Sequence, residues 1–69
     1  MKVRIVTQFS KETGKFLGFA LETSDFPFVW KRVQEYGTNS ERQVEHDALW
    51  LLDLNGKVER KNEFLSTTQ

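Results

Sequence analysis

The residues best suited to proton transfer or metal binding stand together at Glu45-His46-Asp47, around the only histidine of the chain. An imidazole among carboxylates is the raw material of a general base or a metal ligand. The spacing works against both. In a strand Glu45 and Asp47 share one face while His46 takes the other, and in a helix three consecutive residues fan over about 200°. A structural zinc site takes about four protein ligands, and the chain has no cysteine. His46 therefore reads as an exposed histidine in a polar segment. Serine, histidine and aspartate all occur, but no glycine-flanked nucleophile elbow does. Glu59 and Glu63 read as solvated strand residues. Gly14, Gly18, Gly37 and Gly56 never take the spacing of a dinucleotide or phosphate loop. A chain this small rarely builds a water-excluding cleft that also shifts pKa values. The expectation is a non-enzyme with no catalytic, cofactor-binding or metal-binding residues, and no cofactor.

The residues suited to recognition are aromatic and basic. Trp30-Lys31-Arg32 with Tyr36 interleaves the two types, as single-strand nucleic-acid sites do by stacking and phosphate pairing. Trp, Tyr and Arg equally dominate the hot spots of protein interfaces. The third reading makes Trp30 a core residue with Lys31 and Arg32 as its solvated neighbours. Trp50, inside Leu49-Trp50-Leu51-Leu52, reads first as core; on an exposed apolar face it would mark a partner site. The candidate partner-binding set is Trp30, Lys31, Arg32, Tyr36 and Trp50.

The segment Glu12-Thr13-Gly14-Lys15-Phe16-Leu17-Gly18-Phe19-Ala20 resembles the turn and central strand of an RNA-recognition motif. The resemblance implies a base-stacking role for Phe19. It covers these nine residues of the 69. In that family a strand and a helix precede this strand, whereas 15 residues precede Phe16 here, and Glu22 and Thr23 stand where the family carries a further aromatic. The alternative is a hairpin turn feeding a buried strand.

Composition narrows the class. With 69 residues the chain is one domain, and folding at this size buries only about 60% of the unfolded surface. Aromatic residues make up 13% of the chain, which argues against disorder. Ten basic residues balance ten acidic ones, so the excess of a general nucleic-acid binder is missing. The neutrality is a cancellation. Residues 1–20 carry Lys2, Arg4, Lys11 and Lys15 against Glu12, net +3; residues 41–53 carry Glu41, Glu45, Asp47 and Asp53 against Arg42, net −3. The absence of cysteine excludes a disulfide scaffold. No apolar run reaches the ~18 residues of a membrane span, and the alternating start is unlike a signal peptide. The expectation is a cytoplasmic protein with no membrane partner.

These side chains need elements to place them. Val3, Ile5, Thr7 and Phe9 alternate as a strand. Ser10 to Lys15 is turn-rich with Gly14 for a positive φ. Phe16 to Glu22 is a second strand, with Leu17, Phe19 and Leu21 on one face and Phe16, Gly18 and Ala20 on the other. From Thr23 to Gly37 two readings stand. Asp25 as cap, Pro27 in the first turn and Gly37 past the end make a helix with the stripe Phe26, Val29, Trp30, Val33, Tyr36. The same aromatic and β-branched residues suit a strand, with Phe28 and Trp30 opposite Val29 and Val33. Ser40-Glu41-Arg42-Gln43 matches a capping box, with Val44, Ala48, Leu51 and Leu52 on one helical face behind it. Asn55-Gly56 is a hairpin signal, joining strands Leu49–Leu54 and Lys57–Phe64 with one short helical turn before them; Gly56 as a helix C-cap is the alternative.

The expected fold is α+β: two hairpins in a small antiparallel sheet with one short helix, order β-β-α-β-β. The alternative is an all-β five-stranded meander or small barrel. One domain spans 1–65, and 66–69 form a frayed tail. The expected core is Val3, Ile5, Leu17, Phe19, Val29, Val33, Leu51 and Val58. The expected function is a protein-binding module that occludes a larger partner, in the manner of small phage and bacterial regulators or inhibitors of similar size and style. The alternatives are a single-stranded nucleic-acid binder using the basic hairpin, and a structural protein that self-assembles through an exposed edge or patch.

Overall fold

A computed structural model describes residues 1–26, 29–52 and 56–66 of the chain, with only the backbone described at Phe26. Four strands and one helix follow in the order β1 (Lys2–Ser10), β2 (Phe16–Phe26), β3 (Val29–Tyr36), α1 (Glu41–Leu51) and β4 (Val58–Leu65). They form one sheet in the order β3-β2-β1-β4. The class is α+β, as expected, but the layout is not two hairpins. β1 pairs antiparallel with β2, and β2 with β3. β4 lies parallel to β1, so the sheet is mixed. A parallel return requires a crossover, and the segment carrying α1 provides it, from one edge of the sheet to the other.

Lys2–Ser10 and Phe16–Phe26 form the expected first hairpin. Its turn is closed by Ser10 N–H to Lys15 O (2.7 Å) and Gly14 N–H to Ser10 O (2.8 Å). Gly14 takes φ +74°. The helical reading of residues 23–37 is overturned, because Val29–Tyr36 is a strand. Its aromatic and β-branched residues suit a pleated edge. Pro27 and Phe28, on which part of both readings fell, lie outside the described residues.

The expected strand Leu49–Leu54 is also overturned: α1 runs through Leu51 with Leu52 at its C-cap. The stripe Val44, Ala48, Leu51 is continuous at helical spacing and buries Val44 and Ala48 completely. β4 finds its partner in β1 instead. The Asn55-Gly56 turn falls partly on residues 53–55, outside the described set, as do Thr67, Thr68 and Gln69 of the tail. Ser40 is the N-cap, as its capping-box reading required, yet its side chain makes no capping bond. Gln43, the other half of the box, donates Nε2–H to Asp47 Oδ1 at 2.9 Å.

The core lies between α1 and one sheet face: Val3, Ile5, Phe19, Leu21, Val44 and Ala48, with Phe16, Tyr36, Leu51, Leu52 and Val58 packed around it. Of the expected core, Leu17, Val29 and Val33 are exposed, the last two by more than half. Two bulges explain Leu17 and Val33. Gln8 pairs with Gly18 and Phe9 with Phe16, leaving Leu17 as the extra residue. Leu21 pairs with Gln34 and Glu22 with Arg32, leaving Val33 as the extra residue. An extra residue reverses the alternation beyond it. Phe16 thereby joins the helix-side face, 5.0 Å from Phe19 and 6.0 Å from Phe9 between ring centroids. Val29 belongs to an edge strand.

Gly18, at the first bulge, has φ +141°, and a Cβ there would stand 2.5 Å from the Tyr36 carbonyl oxygen. Gly37 has open space around it. Gly18→Ala is expected to destabilise the fold by about 2 kcal/mol or more from backbone strain and clash, whereas Gly37→Ala should lie within about 1 kcal/mol of the parent. Urea unfolding of both variants reads this.

Candidate partner-binding surfaces

Only one sheet face carries the helix. On the other face, β2 presents Ala20, Glu22 and Ser24, and its neighbour β1 presents Arg4, Val6 and Gln8 in register with it. Val6 and Ala20 are fully buried there. The same face carries a set of ion pairs. Arg4 donates Nε–H to Glu22 Oε1 at 2.7 Å, and Arg32 donates Nε–H (3.2 Å) and Nη2–H (3.0 Å) to Glu22 Oε2. Nη2 of Arg32 also reaches Glu63 Oε1 at 3.1 Å, and so links β3 to β4 across the two strands between them. Gln8 donates to the same Glu63 oxygen at 3.4 Å. The Arg4 guanidinium lies 4.1 Å from the Trp30 ring centroid, a cation–π contact.

Glu22 is 7% exposed. Burial pushes its carboxyl up, but the bonds and charges of Arg4 and Arg32 outweigh that, and its pKa lies below the ordinary 4.5. Burial likewise lowers Arg32, and the Glu63 and Glu22 carboxylates more than reverse it, so its pKa is raised above the ordinary guanidinium value. The bulge at Val33 turns Arg32 toward this face, which the period-two reading did not foresee.

The five sequence-predicted residues separate. Trp30 and Arg32 meet the ion-pair face, one stacked on Arg4 and the other bonded to Glu22. Lys31 pairs in register with Thr23 on the opposite face and is exposed. Tyr36 reaches α1, donating its hydroxyl to Asp47 Oδ2 at 2.5 Å. Desolvation and that bond push the Tyr36 phenol up to about 12, and the same bond, chiefly, holds Asp47 below its usual range. Trp50 stands on α1, 70% exposed; the core reading of Trp50 is overturned, because the helix turns Val44, Ala48 and Leu51 to the sheet and Trp50 away.

A groove of about 310 Å³ runs between α1 and β4, lined by Ile5, Glu45, Leu49, Val58 and Arg60. Arg60 Nη2 and Glu45 Oε1, 2.6 Å apart, span it. Leu49 and Phe64 are exposed by 41% and 61%, and Phe64 stacks its inner side on Phe9 at 5.5 Å. The sequence reading missed this groove because it placed Leu49 on a strand. Phe19, the stacking residue implied by the RNA-motif resemblance, is 7% exposed and in the core; that role is overturned, since the bases it would stack on meet α1 instead. His46 is exposed, its Nδ1 3.4 Å from Asp47 Oδ1, while the Asp47 carboxylate is engaged by Tyr36 and Gln43. Among the described residues no three acidic or histidine side chains converge as a metal site, and no helix is long and apolar enough to cross a membrane.

Comparison with known proteins finds no matching family model, curated protein or solved structure.

The contacts of Glu22 and of Tyr36 each carry an expectation. Glu22→Gln leaves Arg4 and Arg32 facing a neutral amide and should cost about 1–3 kcal/mol at neutral pH. A depressed folded pKa gives stability that is present above the unfolded value near 4.5 and lost as pH falls through the folded value. The gap between parent and Glu22→Gln should therefore close in acid, as read by urea midpoints across pH. Tyr36 is the only tyrosine, so tyrosinate absorbance reports it alone. Its midpoint should lie near 12 and fall toward the ordinary 10 in Asp47→Asn. The sign is that of a raised pKa: this contribution is full below 10 and lost as pH climbs through the folded value.

Proposed function

We propose that the protein is a non-enzymatic binding module that docks on a larger protein and acts by covering part of its surface. The observation that carries this reading is Trp50, a tryptophan left 70% exposed on a regular helix, beside Leu49 at 41%. Single exposed apolar residues are ordinary. A tryptophan exposed on a helix, adjacent in sequence to a leucine that lines a groove, has the make-up of an interface anchor. Glu45 and Arg60 at the mouth of the groove supply the polar rim that such anchors carry, and rim charges steer the encounter.

The aromatic–basic residues support nucleic-acid stacking less well. Arg4 occupies a face of the Trp30 ring, Arg32 is bonded to the carboxylates of Glu22, Glu35 and Glu63, and Phe19 is buried.

Trp50→Ala should leave the fold within about 0.5 kcal/mol of the parent, because the side chain is outside the core, and should weaken partner binding by tenfold or more. The measurement is photo-crosslinking from a probe on α1 in the source cell, repeated with Trp50→Ala. A partner retained at full yield by Trp50→Ala sinks the anchor. A homopolymer single strand should show no binding at low salt, where phosphate contacts are strongest.

A further inference from the structure

The two edges of the sheet are built differently. β3 is irregular against β2 at two places, and such bulges blunt an edge. β4 runs against β1 from Val3–Val58 to Ser10–Leu65 without a shift. It is an unbroken strand of eight residues whose other side meets no strand of the sheet. Charge is the usual guard of such an edge, and β4 is charged: Val58-Glu59-Arg60-Lys61-Asn62-Glu63-Phe64-Leu65.

The order of those charges is specific. When a strand pairs antiparallel with its own copy about a twofold axis normal to the sheet, facing residues share a sheet face, and one residue always meets itself. Centred on Glu59, Arg60, Lys61 or Glu63, that residue meets its own charge; centred on Lys61, Glu59 also faces Glu63 twice. A centre at Val58, Phe64 or Leu65 leaves only strand ends overlapping. Centred on Asn62, no like charges face each other. Lys61 then faces Glu63 of the copy, twice by symmetry, Arg60 stands beside the copy's Phe64, and the amides of the two Asn62 side chains meet. Opposite charges facing across strands stabilise a pair, and like charges disrupt it.

We propose that the β4 edge is a homodimer interface: two copies pair β4 to β4 antiparallel about Asn62 to make a continuous eight-stranded sheet. The occupant is a second copy because the edge is complementary to itself in one register. The seam also gives Phe64, 61% exposed, a neighbour in Arg60 of the copy. Arg60 keeps its bond to Glu45 on its own helix, and its stem flanks the ring. This inference is independent of Trp50, which lies on α1.

Sedimentation of the full chain over a wide concentration range should show a monomer–dimer equilibrium. Lys61 and Asn62 are exposed, so variants there keep the fold, which circular dichroism checks. Lys61→Glu places two pairs of like charges at the seam and should weaken the dimer by about tenfold or more, while Lys61→Arg should leave it unchanged. The chain has no cysteine, which permits a direct test of register. Asn62→Cys would bring the two new thiols across the twofold axis, at a Cα separation of about 4.5–5.5 Å, within the range a disulfide takes. It should oxidise to a covalent dimer at least tenfold faster than Arg42→Cys on α1. A monomer at every concentration overturns the proposal. So does a dimer indifferent to Lys61→Glu, or an Asn62→Cys that oxidises no faster than Arg42→Cys.

Discussion

Glu22 lies in the sheet with the guanidinium of Arg4 on one oxygen and that of Arg32 on the other. The chain has one described helix for a sheet with two faces, and a four-stranded sheet left bare on one side would expose its central strands to water. Val6 and Ala20 are nevertheless fully buried. On that face Arg4 and Arg32 are tied to Glu22, and Arg32 also to Glu63 beyond it, and arginines held by their ends can lay their stems along apolar neighbours. Among the described residues no buried side-chain nitrogen or oxygen lacks a partner, a condition that an ionic layer must meet to persist. Losing any one member costs more than its own contact, because the others are left charged and half desolvated.

The same layer fixes register. Arg4 and Glu22 are direct partners across β1 and β2. A slip by one residue would turn the glutamate toward Val44 and Ala48 on the helix side, away from Arg4 and Arg32. On β3 the bulge at Val33 is what lets Arg32 face Glu22 while Tyr36, four residues on, faces α1 and bonds Asp47. Without the extra residue, one of these two anchors would point the wrong way. The exposed Val33 is the cost of serving both faces with a single edge strand.

The first hairpin was legible because alternation, a turn-rich stretch and Gly14 agree on it, and α1 was half legible in the stripe Val44, Ala48, Leu51. What failed has two physical causes. Alternation predicts faces only while the ladder is regular, so Leu17 and Val33, the two extra residues, were placed in the core and Phe16 was placed on the wrong face. Local signals also carry no information about distant pairing. Asn55-Gly56 beside an apolar run invites a hairpin, and nothing nearby says that β4 will pair with β1, more than 50 residues away in sequence. Glu22 was passed over for the same reason: its cations come from positions 4 and 32, and no spacing within one element shows that they converge.

Tying the two edge strands to each other through Arg32 and Glu63 also bears on what each edge can do. β3 turns Arg32 to Glu22 and Tyr36 to Asp47, and its bulges keep the outer edge irregular. β4 has Glu63 partly committed to Arg32, while Lys61, its neighbour on the same face, stays outside the network. The cation outside that network and the anion held in it are two residues apart. In an antiparallel self-pair that is the separation at which each meets the other across the seam, with Asn62 between them at the axis. A network that evenly neutralised every charge on the open face would have left β4 nothing with which to choose a register. Here the ionic layer ends at Glu63 and leaves Lys61 outside it, so the open face of the sheet and the pairing of its edge meet in one residue, Glu63.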